Sequence, residues 1–342
     1  DEPEAVAYVV RLASDFRRAF RQDAVIDLYC YRRLGHNEGD EPTFTQPRMY
    51  QAIAKHSSVR QSYSERLLSQ QRITKEEIAA AEKHYLAHLE SEFKSAAEDR
   101  SEPVREELQG IWAEYRGGLE PDMPAAVSAV EPARLAALLE LQTRLPEGFH
   151  PHPKILRAIE ARRKMAARQI PLDWSAAESL ALATLVAQGT RIRLSGQDSG
   201  RGTFSHRHAI LHDYQDGHEY VPLQHIARDQ APVEIIDSPL SEAGVLGFEY
   251  GYSLDCPGGL VLWEAQFGDF SNAAQVIIDQ FITTAEEKWR RLSGLVLLLP
   301  HGFEGMGPEH SSARLERFLQ LGARDNIQVV YPTTPAQYFH CL

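Results

Sequence analysis

Residues 235–253, IIDSPLSEAGVLGFEYGYS, decide the fold class. An apolar run over 233–236 ends at Asp237, Ser238-Pro239 turns the chain, and Glu242 opens a helical pattern that continues to 254. Strand, turn and helix in so short a span form the repeating unit of an α/β sheet. Gly244, Gly247 and Gly251 recur at spacings of three and four, which predicts close packing along that helix. An acid in a first turn is favoured by the helix dipole alone. A carboxylate just past a strand's carboxyl end is also where open sheets bind ligands. Both readings of Glu242 stand on these residues.

Working outward, further apolar runs fall at 192–194, 260–263, 295–299 and 329–331, with helical patterns over 271–290 and 311–322. Ser175 and Glu178 have the spacing of a capping box. Strands alternating with helices predict, for 171–342, a doubly wound, mostly parallel sheet of the α/β class. Residues 48–170 differ in texture. They are rich in Ala, Glu and Leu, with a second capping box at Thr74 and Glu77 and an apolar stripe of Ile78, Tyr85, Leu89 and Phe93. Prolines break up the later part. This stretch reads as a helical connector. In residues 1–47, Val6, Val9, Ala13, Phe16 and Phe20 share a helix face. The run AVIDLYC, 24–30, then reads as a buried strand before the polar loop YRRLGHNEGDEP, 31–42. That is a partial α/β unit, too small to cover its own strand.

Bulk properties exclude several classes. The chain has 342 residues, 43% hydrophobic and 25% charged, enough for roughly two domains. A formal charge of −12 offers no footprint for nucleic acid. Arg162-Arg163-Lys164 reads as a solvated helix face. No apolar run approaches the roughly 20 residues of a membrane span. Cys30, Cys256 and Cys341 are scattered, without a CxxC pair, which fits a reducing compartment. The chain opens Asp-Glu-Pro-Glu, and the expectation is an internal piece of a longer protein.

Four clusters carry chemistry. In YRRLGHNEGDEP, Arg32, Arg33 and His36 suit a phosphate, although Glu38, Asp40 and Glu41 dilute the charge and a plain surface loop reads equally well. In SGQDSGRGTFSHRHAILHD, 195–213, glycines and serines suggest close backbone approach to a ligand; His206, His208 and His212 raise a zinc alternative that lacks a fourth ligand. Glu242 belongs to the third cluster. In HGFEGMGPEHSSARLERF, 301–318, Ser311 and Ser312 are placed to cap the following helix, which puts His310 at its N-terminus, where anions bind.

Taken in order, these strings, with LWEAQFGDFSNAAQVIIDQFI and YPTTPAQYFH, resemble the first-component family of 2-oxoglutarate dehydrogenases, enzymes dependent on thiamine diphosphate. The resemblance extends over nearly the whole chain and is weakest over 95–150. It implies a decarboxylase that passes a succinyl group to a lipoyl acceptor. It also implies a homodimer, working with a lipoyl-bearing succinyltransferase and a dihydrolipoyl dehydrogenase. On this resemblance Glu242 is the cofactor-activating glutamate, bonded to the aminopyrimidine ring nitrogen so that the imino form takes a proton from the thiazolium carbon. Phe270 or Phe267 stacks on the pyrimidine, His310 lies near the substrate, and His36 and Arg32 border the diphosphate. The family's Mg²⁺ motif and two substrate-side histidines fall ahead of residue 1, and its final domain after Leu342. Residues 1–47 are then the tail of a diphosphate-binding domain, 48–170 the connector and 171–342 the pyrimidine-binding domain. By itself the piece is expected to be inactive, and its home is the bacterial cytoplasm, or the mitochondrial matrix if eukaryotic. A 2-oxoadipate dehydrogenase, another thiamine-dependent decarboxylase or transketolase-like protein, and an inert half-site module are the alternatives.

Overall fold

The computed structural model describes residues 2–98, 108, 110–119, 126–302 and 307–342. The chain divides into two compact units, Asp1–Val104 and Arg105–Leu342.

The first unit is helical: α1 (Pro3–Phe20), α2 (Pro47–Lys55), α3 (Val59–Ser69) and α4 (Lys75–Glu98). α1 forms where its apolar spacing predicts it, yet buries none of its residues. Glu4 on α1 pairs with Arg66 at 2.8 Å and accepts from Tyr63 at 3.2 Å, both on α3. The Thr74–Glu77 capping box is present and reciprocal, with N–H bonds of 2.8 and 3.2 Å. The strand predicted over 24–30 is not formed. The segment has no ladder partner among the described residues, and Val25 and Tyr29 are exposed. A run of β-formers becomes a strand only when a neighbour takes up its backbone groups.

In the second unit, α5 (Pro132–Leu141), α6 (Pro153–Ala166) and α7 (Trp174–Val186) precede the strands β1 (Ile192–Gly196), β2 (Leu211–His212), β3 (Glu219–Tyr220), β4 (Val233–Asp237), β5 (Leu260–Glu264) and β6 (Val296–Leu298). α8 (Glu242–Leu254) joins β4 to β5. β5 is followed by a 3₁₀ stretch and by α9 (Gln275–Ile277), a π turn and α10 (Ala285–Trp289), where the sequence predicts one long helix. α11 (Leu315–Leu321) and α12 (Pro335–Cys341) close the chain. No strand forms at 329–331, where Val330 and Tyr331 are exposed.

The main sheet runs β4-β1-β5-β6 and is parallel throughout, with Ile192 in register with Val233 and Leu260. Side chains alternate across it as a sheet covered on both faces requires. Ile192, Leu194 and Leu262 pack with Leu180 and Ala183 of α7, joined by Phe339 of α12. Trp263 and Leu297 point to the opposite face and pack with Leu246 of α8 and Ile278. This is the mostly parallel α/β sheet the sequence predicts. β2 and β3 form a separate hairpin that periodicity does not reveal, because each has only two residues.

Three local expectations are corrected. The cap of α7 is Asp173, which accepts from the Ala176 N–H at 2.8 Å; Ser175 and Glu178 lie inside the helix, so they form no capping box. Of the run Arg162-Arg163-Lys164, Arg163 and Lys164 are exposed, but Arg162 turns inward, donating to Ser175 Oγ at 2.7 Å and to the Arg207 carbonyl at 2.9 Å; Arg163 also donates to the Thr143 carbonyl at 3.1 Å. Of the α8 glycines, only Gly247 meets another element, where an added Cβ would lie 3.5 Å from Ile277; Gly251 faces open space. No helix among the described residues is long and apolar enough to cross a membrane.

Asp173→Ala removes the side-chain cap of α7, and an expected loss of about 1 kcal/mol should appear as a lower urea midpoint with an unchanged slope. An unchanged midpoint would mean the cap contributes nothing.

Candidate functional site

The four parallel strands end on one edge, and the polar clusters follow them there. Gln197 comes directly after β1, Glu242 after β4, Phe267 and Phe270 after β5, and the 301–314 loop after β6. This is the edge at which open α/β sheets bind ligands.

Glu242 is the first residue of α8 and is half-buried. Its Oε1 accepts from Gln197 Nε2 at 3.1 Å. Oε2 has no protein partner among the described residues. The carboxyl is thus less enclosed than a carboxyl walled in by apolar side chains, and one oxygen is available to a ligand.

Over β5, three rings meet. Phe267 and Phe270 lie 5.5 Å apart at 69°, and His310 stands edge-on to both, 4.4 Å from Phe267 and 5.6 Å from Phe270. All three are half-buried, so each presents part of its ring to solvent. Phe204, from the loop after β1, stands edge-on to Phe267 at 5.8 Å. His310 does not lie at a helix N-terminus as the sequence predicts. α11 begins at Leu315, five residues on, and Arg314 at its cap position has a left-handed φ of 54°. Of the two serines expected to cap it, Ser312 Oγ accepts from the Arg314 N–H at 2.9 Å. Residues 303–306 of the quoted loop lie outside the described residues.

What holds His310 is Asp269, which the sequence reading passed over. Its carboxylate is buried, and Oδ2 accepts the N–H groups of Ser311 at 2.8 Å and Ser312 at 2.9 Å. Gly268 beside it has no room for a side chain: a Cβ would lie 2.4 Å from the Pro300 carbonyl oxygen and 2.7 Å from Ala313 Cα. Pro300 and Ala313 therefore pack directly against the backbone between Phe267 and Phe270. The signal was a glycine and an acid between two aromatics, in the string FGDF.

A second missed group lies behind this edge. Arg207 is buried, and its guanidinium donates to both oxygens of Glu178, to both oxygens of Glu264 and to the Ser199 carbonyl. Glu178 also accepts from the Tyr338 hydroxyl at 2.7 Å. Burial works to raise the Glu178 carboxyl, but the charge and hydrogen bonds of Arg207 outweigh it and hold the carboxyl below its ordinary value. Burial and the neighbouring Glu178 charge push the Tyr338 hydroxyl up. The signal was Glu178 itself, the one charged residue in the apolar helix WSAAESLALATLV.

The three histidines of the 195–213 cluster do not converge. Among the described residues the group spaced for a metal is Asp213, Asp216 and His218, whose bonds are those of a polar turn: Asp213 accepts from Gln215 N at 2.7 Å, and Asp216 from His218 N at 3.0 Å. His206 instead lies against Gly202, where a Cβ would come within 2.5 Å of its ring. Burial, and then the Arg207 charge, lower its pKa from 6.5. Arg32 and His36 belong to the first unit. Arg32 donates to the His36 carbonyl at 3.0 Å, and the His36 N–H to Asp40 at 2.6 Å, forming an exposed, self-bonded loop.

An open parallel sheet carrying a carboxylate and a ring cluster on its carboxyl edge belongs to the class of α/β cofactor-binding domains. Residues 170–342 match the family model described as the transketolase, pyrimidine binding domain, and residues 1–105 match that of the dehydrogenase E1 component. The chain is 50% identical over 343 aligned residues to a 2-oxoglutarate dehydrogenase E1 component of Brucella anthropi. It is 49% identical to those of Brucella ovis and Brucella canis. Each alignment covers 100% of this chain and 34% of the relative, so the chain spans about a third of the length of these relatives. The chain belongs to the transketolase pyrimidine-binding-domain family.

A pH dependence follows from His206. Its folded pKa lies below its ordinary 6.5, so on acidification the unfolded chain takes up a proton that the folded chain refuses, and stability falls as pH drops below 6.5. His208, lowered chiefly by burial, acts in the same direction. Urea midpoints at pH 7.5 and 5.5 are expected to differ, and His206→Gln should narrow the gap. An undiminished gap in that variant would assign the dependence to other groups.

Proposed function

We propose that the second unit is the pyrimidine half-site of a thiamine-diphosphate enzyme, the decarboxylating first component of a 2-oxoglutarate dehydrogenase complex. The observation that carries the reading is the Glu242 carboxyl, half-exposed, fixed by Gln197 through one oxygen only, on the same sheet edge as the Phe267–Phe270–His310 rings. A carboxyl with a free oxygen and adjacent part-exposed aromatic faces fits a flat heterocycle that carries ring nitrogens. The names and 49–50% identity of the Brucella relatives support the same choice.

When bound, the cofactor supplies the electron sink for decarboxylation. The chain's own residues bind, orient and handle protons. Glu242 holds a proton at Oε2 and shares it with a ring nitrogen. Phe270, with Phe267 beside it, offers a face or edge to the ring. His310, held by Phe267 and by the Asp269-anchored loop, presents an imidazole to a carboxylate or to developing charge. Arg32 and His36 are assigned to the diphosphate side, with Mg²⁺ held by residues other than those of this chain. In this reading residues 1–47 are the tail of the diphosphate-binding domain, 48–170 the connector and 171–342 the pyrimidine domain. The assembly is a homodimer that hands a succinyl group to a lipoyl-bearing acyltransferase, reoxidised by dihydrolipoyl dehydrogenase, in the bacterial cytoplasm.

Glu242→Gln keeps the side chain's size but cannot exchange the proton. In the full-length protein, deuterium exchange at the thiazolium carbon of bound cofactor is expected to slow by about 10²-fold or more, with the fold unchanged. Wild-type exchange in that variant would reduce Glu242 to a helix-start acid. His310→Ala is expected to lower turnover of 2-oxoglutarate by about 10²- to 10³-fold and to leave that exchange step closer to wild type. Full turnover would make His310 a packing residue.

A further inference from the structure

The loop from Gln197 to His208 reaches both parts of the site. At its start Gln197 holds Glu242 at 3.1 Å, and further on Phe204 stands edge-on to Phe267 at 5.8 Å. Within this loop two non-glycine residues take left-handed backbone, with φ of +53° at Ser205 and +47° at His208. Such left-handed residues persist only where surrounding structure enforces them. Gly200 N is tied to Asp237 at the end of β4 at 2.8 Å, and His208 N to the Arg201 carbonyl at 2.9 Å.

A further constraint is Arg207. Its guanidinium joins the loop carbonyl of Ser199 at 3.1 Å to Glu264, the last residue of β5, at 2.8 Å, and to Glu178 of α7 at 3.0 Å. α12 braces the same point through Tyr338, and α6 through Arg162, which donates to the Arg207 carbonyl. Arg207 is too deeply buried to touch a ligand. One planar fork thus fixes the loop to two elements at once, β5 and α7, which a lysine, with a single ammonium centre, cannot do.

We propose that Arg207 is a positioning residue for the site: it sets the 197–208 loop, and through it the Gln197 amide that orients Glu242 and the Phe204 ring that backs Phe267. The inference rests on the reading of Glu242 and Phe267 as the pyrimidine half-site. Residues that hold others in a reacting geometry act at a distance, and a displacement of about 1 Å can cost about 10²-fold.

The test uses the full-length protein with Arg207→Lys. Because a buried charge left unpaired can unfold the chain, the triple variant Arg207→Met/Glu178→Gln/Glu264→Gln accompanies it, removing the charges together. Three quantities are read: amide hydrogen exchange of the 197–208 peptide, affinity for thiamine diphosphate, and exchange at the cofactor's thiazolium carbon. In the variant that folds, the loop should exchange faster while the α8 peptide beyond its first turn does not, and the thiazolium step should slow by about 10- to 100-fold. Adding Arg207→Lys to Gln197→Ala should slow that step by less than Arg207→Lys does in the wild-type background, because part of its effect runs through the Gln197 contact. An unchanged loop, or a faster loop with wild-type cofactor binding and thiazolium exchange, would overturn the proposal. So would full additivity with Gln197→Ala. If Glu242→Gln by itself leaves thiazolium exchange at the wild-type rate, the half-site reading fails first and the positioning role with it. If Glu242→Gln slows exchange while the Arg207 variants do not, the half-site reading stands and only the positioning role fails.

Discussion

The second unit depends on one buried cation. Arg207 sits among two carboxylates, a phenol and a carbonyl, each from a different part of the chain. Removing charges from water is costly, and a buried ion cluster is weak evidence of stability compared with an apolar core of the same volume. Its worth lies in what it forbids. With the fork satisfied on both edges, α7, the end of β5, the loop after β1 and α12 have one mutual arrangement that leaves no charge unpaired. Loss of one charged partner from such a cluster typically costs about 3–5 kcal/mol, so a packing that separates α7, the end of β5 and the loop after β1 is penalised in a way that apolar contacts, tolerant of sliding, do not provide.

The parallel register then does the rest of the placement. Gly196, Asp237 and Glu264 are cross-strand neighbours at the ends of β1, β4 and β5. Whatever follows each strand must emerge at the same edge. Strand ends two spacings apart are about 10 Å from each other, so the start of α8 and the rings after β5 flank the loop that leaves β1 between them. Nothing in α8 or the 267–270 turn has to seek out the other.

The sheet was legible because its strands are short apolar-rich runs separated by turn chemistry. Four of the five predicted main-sheet strands form, with ends shifted by a residue or two. The fifth, at 329–331, shows the limit: β-forming side chains specify a strand only when a ladder partner is at hand, and the same reason undoes the run at 24–30. The Glu242 helix start was legible from a Ser-Pro turn and an acid. The position of His310 was not, because it is set by Asp269, a carboxylate some forty residues earlier that takes backbone donors from Ser311 and Ser312. Nor was the role of Glu178, whose spacing from Ser175 mimics a capping box while its side chain turns inward to Arg207. Local spacing cannot distinguish a carboxylate that bonds its own helix from one that bonds across the fold.

The hydrogen bonds of the site differ in strength in a way that matches their work. Asp269 takes two backbone N–H bonds and Glu178 takes two bonds from the Arg207 cation, which ion-pair character makes about twice as strong as neutral ones, and both are buried scaffolding. Glu242, at the exposed end of the same architecture, has a single bond from a neutral amide. A carboxyl locked in an ion pair would give up its proton readily but take one back poorly, because its charged form would be the favoured one. A carboxyl steadied by one amide keeps its direction while its second oxygen is left to a ligand. The fold therefore places its strong electrostatics on the loops and leaves Glu242, the proposed proton-sharing carboxyl, held among the described residues by one amide alone.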